Sequence, residues 1–336
     1  MKKVLFASTA LVAFAGAASA EVALTGRAEM GIFKADSVSA AGVVTSNGTQ
    51  FFTDIDVTFT MSGETDNGLT FGASVDLDEG GAISNATQNN SDDGGATIFI
   101  SGSFGTVTMG DTDGALDWAM TDAGNVGNPG SLADDETTHA GYNGAWLDGN
   151  NNGSAGDGQI LRWDYTSGAF GVAVSLEDDN GSNAANTGVG YAIGLKYALD
   201  LSGTTVNFGL GHQKAADNAG NAVDPKATGV SVSASFANGL SAGVTYTDFS
   251  DSNIDKHVGL GLGYTTGAFS IHANYGKFSG ETGFADVSGY GLAAAYDLGG
   301  GAVVHFGYGS GDTVNAAGTA TVDKSKTMSF GLGLSF

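Results

Sequence analysis

Apolar residues recur at every second position through most of this chain, and this period of two limits the folds that it can adopt. In residues 328–336, methionine, leucine and phenylalanine alternate with serine and glycine, and residues 189–199 alternate in the same way. A period of two places apolar side chains on one face of a β-strand and polar or small ones on the other. The sequence therefore predicts an all-β fold.

Sixteen segments show this pattern, and the connections between them are alternately short and long. The predicted strands are 22–33, 50–62, 69–77, 95–104, 106–111, 158–167, 168–177, 189–199, 203–213, 227–237, 239–249, 256–266, 268–278, 286–297, 301–310 and 326–336. Short turns at one end and long, polar loops at the other are typical of an up-and-down outer-membrane barrel. We therefore expect a 16-stranded antiparallel transmembrane β-barrel with both termini on the short-turn side.

Aromatic residues cluster near both ends of the predicted strands, as in the interfacial girdles of membrane barrels. Near the short turns lie Phe59, Phe71, Phe104, Trp163, Tyr165, Phe170, Phe236, Tyr264, Phe269 and Tyr296, and near the long loops lie Phe33, Phe51, Phe52, Tyr246, Phe249, Tyr275, Phe278 and Tyr308. The alternative is a soluble β-sandwich with these rings in its core. Strands longer than the usual five or six residues, and a second face rich in Gly, Ser and Thr, favour the membrane barrel. Sixteen strands are too many for side chains to fill the interior, so we expect water there.

The first twenty residues have the pattern of an export signal. Lys2 and Lys3 precede a short apolar run, and Ala18-Ser19-Ala20 forms a cleavage site, which predicts a signal peptide at 1–20 and one barrel domain at 21–336. Without Lys2 and Lys3, 10 basic residues face 36 acidic ones, a net charge of −26. That charge argues against nucleic acid and anionic lipid as partners and favours cations. The chain has no cysteine, which excludes disulfides and thiolate metal sites.

One connection, residues 111–158, is far longer than the others and shows no alternation. It contains Trp118, Trp146 and His139, many carboxylates and no lysine or arginine. A compact domain rarely tolerates so long a loop unless the loop is functional. We expect this third long loop to fold inward, so that residues 112–157 constrict a water-filled channel. Small hydrophilic solutes and ions would diffuse through it, with a preference for cations set by the acidic lining.

Three short segments resemble a known family. The opening Glu21-Val22-Ala23-Leu24-Thr25-Gly26-Arg27, the stretch Gly68-Leu69-Thr70-Phe71-Gly72-Ala73 and the terminal Phe336 are similar to the general diffusion porins of alphaproteobacteria of the Rhodobacter type. The resemblance implies a trimeric, sixteen-stranded channel of the Gram-negative outer membrane with an inward third loop, and a terminal aromatic residue that marks the chain for barrel insertion. It also implies an arginine cluster facing the acidic loop and calcium among the loop carboxylates. This chain departs from that pattern because Arg27 and Arg162 are its only arginines.

Strand parity places a set of charged side chains on the lumen side. The expected lining and constriction residues are Arg27, Glu29, Asp54, Asp56, Asp111, Asp113, Asp117, Asp134, Asp135, Glu136, Arg162 and Lys196. Asp76 and Asp164 share this parity. Charges facing the lumen tune selectivity, whereas a charge in the middle of the lipid face costs ~2–4 kcal/mol. The functional hypothesis is that Arg27, Arg162 and Lys196 oppose the loop carboxylates across a constriction; the alternative is solvated wall residues with local partners.

Part of the long loop has the ligand spacing of a calcium site. From Asp148, oxygen ligands fall at positions one, three and five and a glycine at six, as in an EF-hand, but position twelve is Gln159. The candidate calcium ligands are Asp111, Asp113, Asp148, Asn150, Asn152 and Asp157. Polar loops also produce such spacing by chance, and a passive pore requires no cofactor.

No catalytic residue is predicted. Asp134, Asp135 and Glu136 with His139 are the strongest hydrolytic set, but the sequence shows neither a nucleophile nor an oriented base. His212, His257, His272 and His305 lack zinc-site spacing, and parity turns the last three toward the lumen. The preferred interpretation is a non-enzymatic porin whose partners are outer-membrane lipid, further copies in a homotrimer and small hydrophilic solutes. A solute-specific channel, an outer-membrane hydrolase and a barrel plugged by its loop stay open as alternatives.

Overall fold

The computed structural model describes residues 21–80, 91–132, 139–142, 159–178, 189–215 and 225–336. Its strands are β1 (Glu21–Ala35), β2 (Ser37–Val38), β3 (Val44–Thr45), β4 (Gln50–Glu64), β5 (Thr70–Gly80), β6 (Ser91–Gly102), β7 (Gly105–Gly110), β8 (Ile160–Ser167), β9 (Phe170–Asp178), β10 (Val189–Asp200), β11 (Thr204–Lys214), β12 (Lys226–Phe236), β13 (Leu240–Ser250), β14 (Ile254–Thr266), β15 (Phe269–Gly280), β16 (Val287–Gly299), β17 (Ala302–Val314) and β18 (Thr321–Ser335). One helix, α1 (Ala115–Ala119), and a 3₁₀ turn at Ala123–Asn125 lie between β7 and β8. The predicted signal peptide at 1–20 lies outside the described residues.

Sixteen of these strands close into one antiparallel barrel, which confirms the predicted fold class. β1 pairs with β18 on one side and with β4 on the other, so the sheet has no open edge. Closure satisfies the backbone N–H and C=O groups that hydrocarbon could not hydrogen-bond. Among the described residues, no helix has the length and apolar character of a membrane span.

Two features at the loop end differ from the predicted boundaries. β2 and β3 form a separate hairpin within the first long connection, which the alternation did not reveal. β17 and β18 continue past the predicted limits at 310 and 326, and their ladder extends to a pairing of Val314 with Thr321. The extension carries polar side chains on both faces, so the period of two that marks the membrane-spanning part is absent there.

The outer face of the barrel is apolar and exposed. Val22, Leu24, Met30 and Ile32 of β1 all point outward, as strand parity predicts, while Glu29 is buried on the inner side. The same outward exposure recurs on every barrel strand from β4 to β18. A continuous exposed apolar surface of this kind marks a contact with lipid.

The predicted aromatic girdle is correct at the short-turn end and partly wrong at the loop end. Phe71, Phe170, Phe236, Tyr264, Phe269 and Tyr296 are exposed on the outer face, as are Phe51, Tyr246 and Tyr275. In contrast, Phe52, Phe249 and Phe278 are only 4%, 8% and 2% exposed. Each stands one residue out of step with its outward-facing neighbours, so its ring points into the barrel; the ring of Phe33 lies 6.1 Å from that of Phe52. Position near a strand end was a poorer guide than parity.

Candidate functional site

The long loop between β7 and β8 folds into the barrel and lies along its inner wall. The helix α1 contacts β9, β10 and β11, and the 3₁₀ turn contacts β13, β14 and β15. Farther along the loop, the side chain of Leu132 reaches the inner face of β1 and β18, where any β-carbon on Gly31 or Gly331 would meet it. The loop therefore follows the wall from β9 to β1, about two thirds of the ring of strands, as an inward-folded constriction requires.

The helix α1 turns its small and apolar side toward the wall. Ala115, Leu116 and Ala119 are buried, whereas Asp117 and Trp118 are half-buried. The loop backbone is also tied to the wall: Ala115 N donates to Ser175 Oγ at 2.9 Å, and Thr121 N donates to Ser231 Oγ at 2.8 Å. These contacts fix the short helix, which at five residues would not be stable alone.

Glycine recurs along the wall beneath the loop. We name the glycine track from the inward-facing positions Gly194, Gly209, Gly211, Gly229, Gly243, Gly261, Gly263, Gly276, Gly289, Gly311 and Gly331 on β10 to β18. A β-carbon at Gly261 would overlap the carbonyl oxygen of Ala123, and one at Gly263 would lie 2.5 Å from Gly127 O. The loop backbone therefore rests directly on the backbone of the sheet, an approach that only glycine permits.

Histidines on the wall hold the loop through its carbonyl groups. His257 Nε2 donates to Gly141 O at 2.8 Å, and His305 Nδ1 donates to Gly130 O at 3.3 Å. With His272 they face the lumen, as parity predicted. The spacing of these histidines in the sequence argued against a zinc site, but it could not show which loop atoms the imidazole rings would contact.

His139 is the loop's own histidine, and both of its ring nitrogens are engaged. Gly141 N donates to Nδ1 at 3.1 Å, so Nε2 carries the proton and donates to Asn274 Oδ1 at 3.0 Å. Burial, opposed in part by the hydrogen bond to Asn274, lowers the pKa of His139 from 6.5 to about 4. The neutral ring is thus the form that docks the loop at neutral pH.

An acidic patch covers the inner face of β1, β4 and β5. Glu29 forms an ion pair with Arg27, and the two stand directly opposite Asp54 and Asp56 across the β1–β4 ladder. Asp76 on β5 accepts a hydrogen bond from Thr58 Oγ1 at 2.9 Å. We call Glu29, Asp54, Asp56 and Asp76 the acidic patch; four carboxylates surround one arginine. β4 stands eight strands away from β12, which carries part of the loop's seat, so Asp54 and Asp56 face that part of the loop across the bore, whereas Glu29 lies on the strand that Leu132 reaches.

A second group of charges lies beside the start of the loop. Arg162 Nε pairs with Asp164 Oδ1 at 3.2 Å, and Arg162 Nη1 donates to Asp113 O at 2.7 Å. Lys196 Nζ lies 3.4 Å from the centre of the Trp118 ring. The hypothesis that Arg162 and Lys196 oppose the loop across a gap is wrong, because both touch the loop itself. Arg27 pairs with Glu29 on its own strand.

The predicted loop carboxylates are only partly within the described residues. Asp111 and Asp113 are exposed and Asp117 is half-buried. Asp134, Asp135, Glu136, Asp148, Asn150, Asn152 and Asp157 lie outside the described residues. Within the part of the chain that the structure describes, no group of three or more His, Cys, Asp or Glu side chains could hold a metal ion. Asp111 and Asp113 therefore do not form a complete calcium site by themselves.

Comparisons with known proteins agree with this geometry. Residues 7–316 match the family model described as Gram-negative porin. A porin of Rhodobacter capsulatus is 30% identical over 324 residues, which cover 88% of this chain and 96% of that protein. A porin structure refined at 1.8 Å resolution has a TM-score of 0.68 and 25% identity, covering 94% of this chain and 100% of the other. A triple mutant of the Rhodopseudomonas blastica porin has a TM-score of 0.62 and 18% identity over the same shares, a likeness of fold.

Proposed function

Because the chain belongs to the Gram-negative porin family and is a porin of the outer membrane, we propose that its channel passes small hydrophilic solutes by passive diffusion and prefers cations. The observation that carries the cation preference is the acidic patch, which sets four carboxylates around one arginine on the inner wall. A water-filled bore with walls of low dielectric constant concentrates the field of such a patch. Cations would accumulate there and anions would be depleted.

The arginines on the wall do little to offset this field. Arg27 is paired with Glu29, and Arg162 is paired with Asp164, so each cation is matched by a carboxylate on its own strand. On β1, β4 and β5, the four carboxylates of the acidic patch outnumber the one arginine, so this wall carries excess negative charge. The loop adds Asp111, Asp113 and Asp117, and we assign Asp134, Asp135 and Glu136 to the same lining. All of these residues, with the loop 112–157 as the constriction, form the proposed selectivity region.

A bilayer measurement tests the cation preference. The variant Asp54→Asn/Asp56→Asn/Asp76→Asn should lower the K⁺/Cl⁻ permeability ratio, because it removes charge from the acidic patch without changing side-chain size. Asp113→Asn/Asp117→Asn/Asp134→Asn/Asp135→Asn tests the loop's share in the same way. Asp66→Asn, an exposed change in the short turn after β4, is the matched control. A ratio that stays at the wild-type value in both multiple variants would reject the proposed role of the carboxylates.

We further propose that the protein is not an enzyme. Both nitrogens of His139 are engaged by Gly141 and Asn274, which leaves neither to activate a nucleophile or a water molecule. Purified protein should therefore not hydrolyse peptides or phospholipids. Hydrolysis that is lost in His139→Ala would overturn this statement and favour an outer-membrane hydrolase.

Three further points are proposals that rest on the sequence pattern and the family. The mature chain would begin at Glu21, three copies would assemble as a homotrimer, and calcium would bind in the loop with Asp111 and Asp113 among its ligands. N-terminal sequencing, the mass of the detergent complex and calcium titration with and without Asp111→Asn would test them in turn.

A further inference from the structure

A cavity of about 320 Å³ lies between the loop helix and the wall at the short-turn end of the barrel. Side chains of Trp118, Thr121, Thr166, Lys196 and Asn207 line it. Apart from the indole, these groups are hydroxyls, an amide and an ammonium. The rest of the lining includes Ala119, Met120, Ala169, Ala198 and Phe208, so a few polar groups stand in a mainly apolar cavity. The cavity lies on β8 to β11, away from the acidic patch on β1, β4 and β5.

Lys196 reaches this cavity with unused hydrogen-bonding capacity. Its Nζ lies over the Trp118 ring at 3.4 Å and contacts Trp118 O at 3.5 Å. Within the described part of the chain, no carboxylate lies within ion-pair distance of Lys196, in contrast to Arg27 and Arg162. Asp164 and Arg162, which influence Lys196 electrostatically, are paired with each other. An ammonium offers three N–H donors, so Lys196 can bind a further acceptor.

The surroundings hold the two side chains in place. A β-carbon at Gly171 would lie 2.9 Å from Trp118 Cη2 and 3.0 Å from Lys196 Cγ, so glycine makes room for both. The floor of the cavity is tied down as well, because Ser233 Oγ donates to Thr121 Oγ1 at 3.4 Å. The indole and the ammonium are therefore positioned before any solute arrives, which reduces the entropy lost on binding.

We propose that this cavity is a binding site for small polyhydroxylated carboxylates, that is, single sugar acids in transit. The carboxylate would pair with Lys196, the hydroxyl groups would bond to Thr166 and Asn207, and the apolar face of the sugar would contact the edge of Trp118. The cavity lies at the lower end of the ~300–1,000 Å³ range of small-molecule sites, which suits one sugar unit. The proposal rests on the porin function but not on the cation preference, since it concerns one local site in the bore.

Single-channel recording with gluconate as the probe tests the site. In symmetric KCl, gluconate should produce transient current blockades in the wild-type channel, and glucose should not. Lys196→Gln should weaken the gluconate block roughly tenfold or more, as the loss of a charge-assisted contact predicts. Lys196→Arg should retain the block, because the charge and the contact with the indole remain. Lys214→Gln, which removes a charge at the loop end of β11, is the matched control, and gluconate should block this variant as it blocks the wild type.

Each outcome distinguishes a part of the proposal. Asn207→Ala should weaken the block by gluconate and leave the response to acetate unchanged, which separates hydroxyl recognition from charge. Blockade by acetate or inorganic phosphate equal to that by gluconate would overturn the assignment to sugar acids. Gluconate block that is absent, or unchanged in Lys196→Gln, would overturn the site. The KCl conductance of the same membranes shows whether a channel is present, so failure of the site is distinct from failure of the porin function.

Discussion

Substitution of a glycine in the glycine track by alanine should move the loop away from the wall. In Gly263→Ala the new β-carbon would lie 2.5 Å from Gly127 O and 2.7 Å from Gly127 Cα, whereas ordinary contact begins at 3.4 Å. The loop must therefore retreat by about 0.9 Å, the difference between 3.4 and 2.5 Å. Hydrogen bonds on both edges of β14 hold the wall, so the retreat is toward the axis of the bore. Overpacking of this kind costs about 1–3 kcal/mol.

Conductance and sugar permeation measure this displacement. We expect Gly263→Ala to lower the single-channel conductance and to slow the swelling of liposomes in neutral sugars. Gly261→Ala should do so more strongly, because its β-carbon would overlap Ala123 O and the loop would have to retreat farther. The control is Gly26→Ala on the lipid side, where the β-carbon would meet its nearest atom at an ordinary 3.6 Å.

The barrel itself should survive all three changes, since the ladders on both sides of each strand are kept. Heat resistance of the barrel in detergent would verify this. If conductance and sugar permeation were the same in Gly263→Ala, Gly261→Ala and Gly26→Ala, with all three barrels intact, the loop would not rest on the wall and the reasoning would be refuted.

Two further changes test the contacts that hold the loop. A detached His139 takes up a proton near pH 6.5 but a docked one only near pH 4, so docking of the loop should weaken as pH falls through this window, by at most on the order of 3 kcal/mol. Protease cleavage of the loop should therefore be faster at pH 4.5 than at pH 7. An equal increase in cleavage in His139→Gln would contradict this role of His139. Phe278→Ala removes a ring that is 2% exposed and should lower the free energy of unfolding by about 3–5 kcal/mol. Phe269→Ala, on the lipid face at 44% exposure, should cost less in the same urea titration, and equal losses would place Phe278 outside the buried cluster.

The barrel was predictable because it follows from local pattern. A period of two marks each strand in the sequence, and the alternation of short and long connections fixes the neighbours of every strand. The same parity rule placed Arg27 and Glu29 inside and Leu24 outside. The β2–β3 hairpin and the extended β17–β18 ladder escaped because neither carries the apolar face on which the rule depends.

The interior was less predictable because it depends on contacts between distant segments. Glycines on the inner face were visible as small residues, but nothing in the sequence shows that Ala123 lies on Gly261. Arg162 was expected across from the loop, yet it donates to Asp113 O, a contact set by the path of the chain at the end of β7. Phe249 and Phe278 were assigned to the lipid boundary by their distance from the strand end, although they pack with Leu116 and Met120 inside.

The seat of the loop has a consequence for redesign of this channel. The loop packs directly on the glycine track from β10 to β18, with backbone on backbone at Gly194, Gly261, Gly263 and Gly276 and with loop side chains at Gly229, Gly243 and Gly331. The wall therefore fits one particular loop path, and a different loop would leave gaps or overlap with it. Transfer of a constriction loop from another porin into this barrel, or of this loop into another barrel, should therefore succeed only when the strands beneath the loop are transferred as well. The selective element of the pore is the loop together with the strands β10 to β18 beneath it.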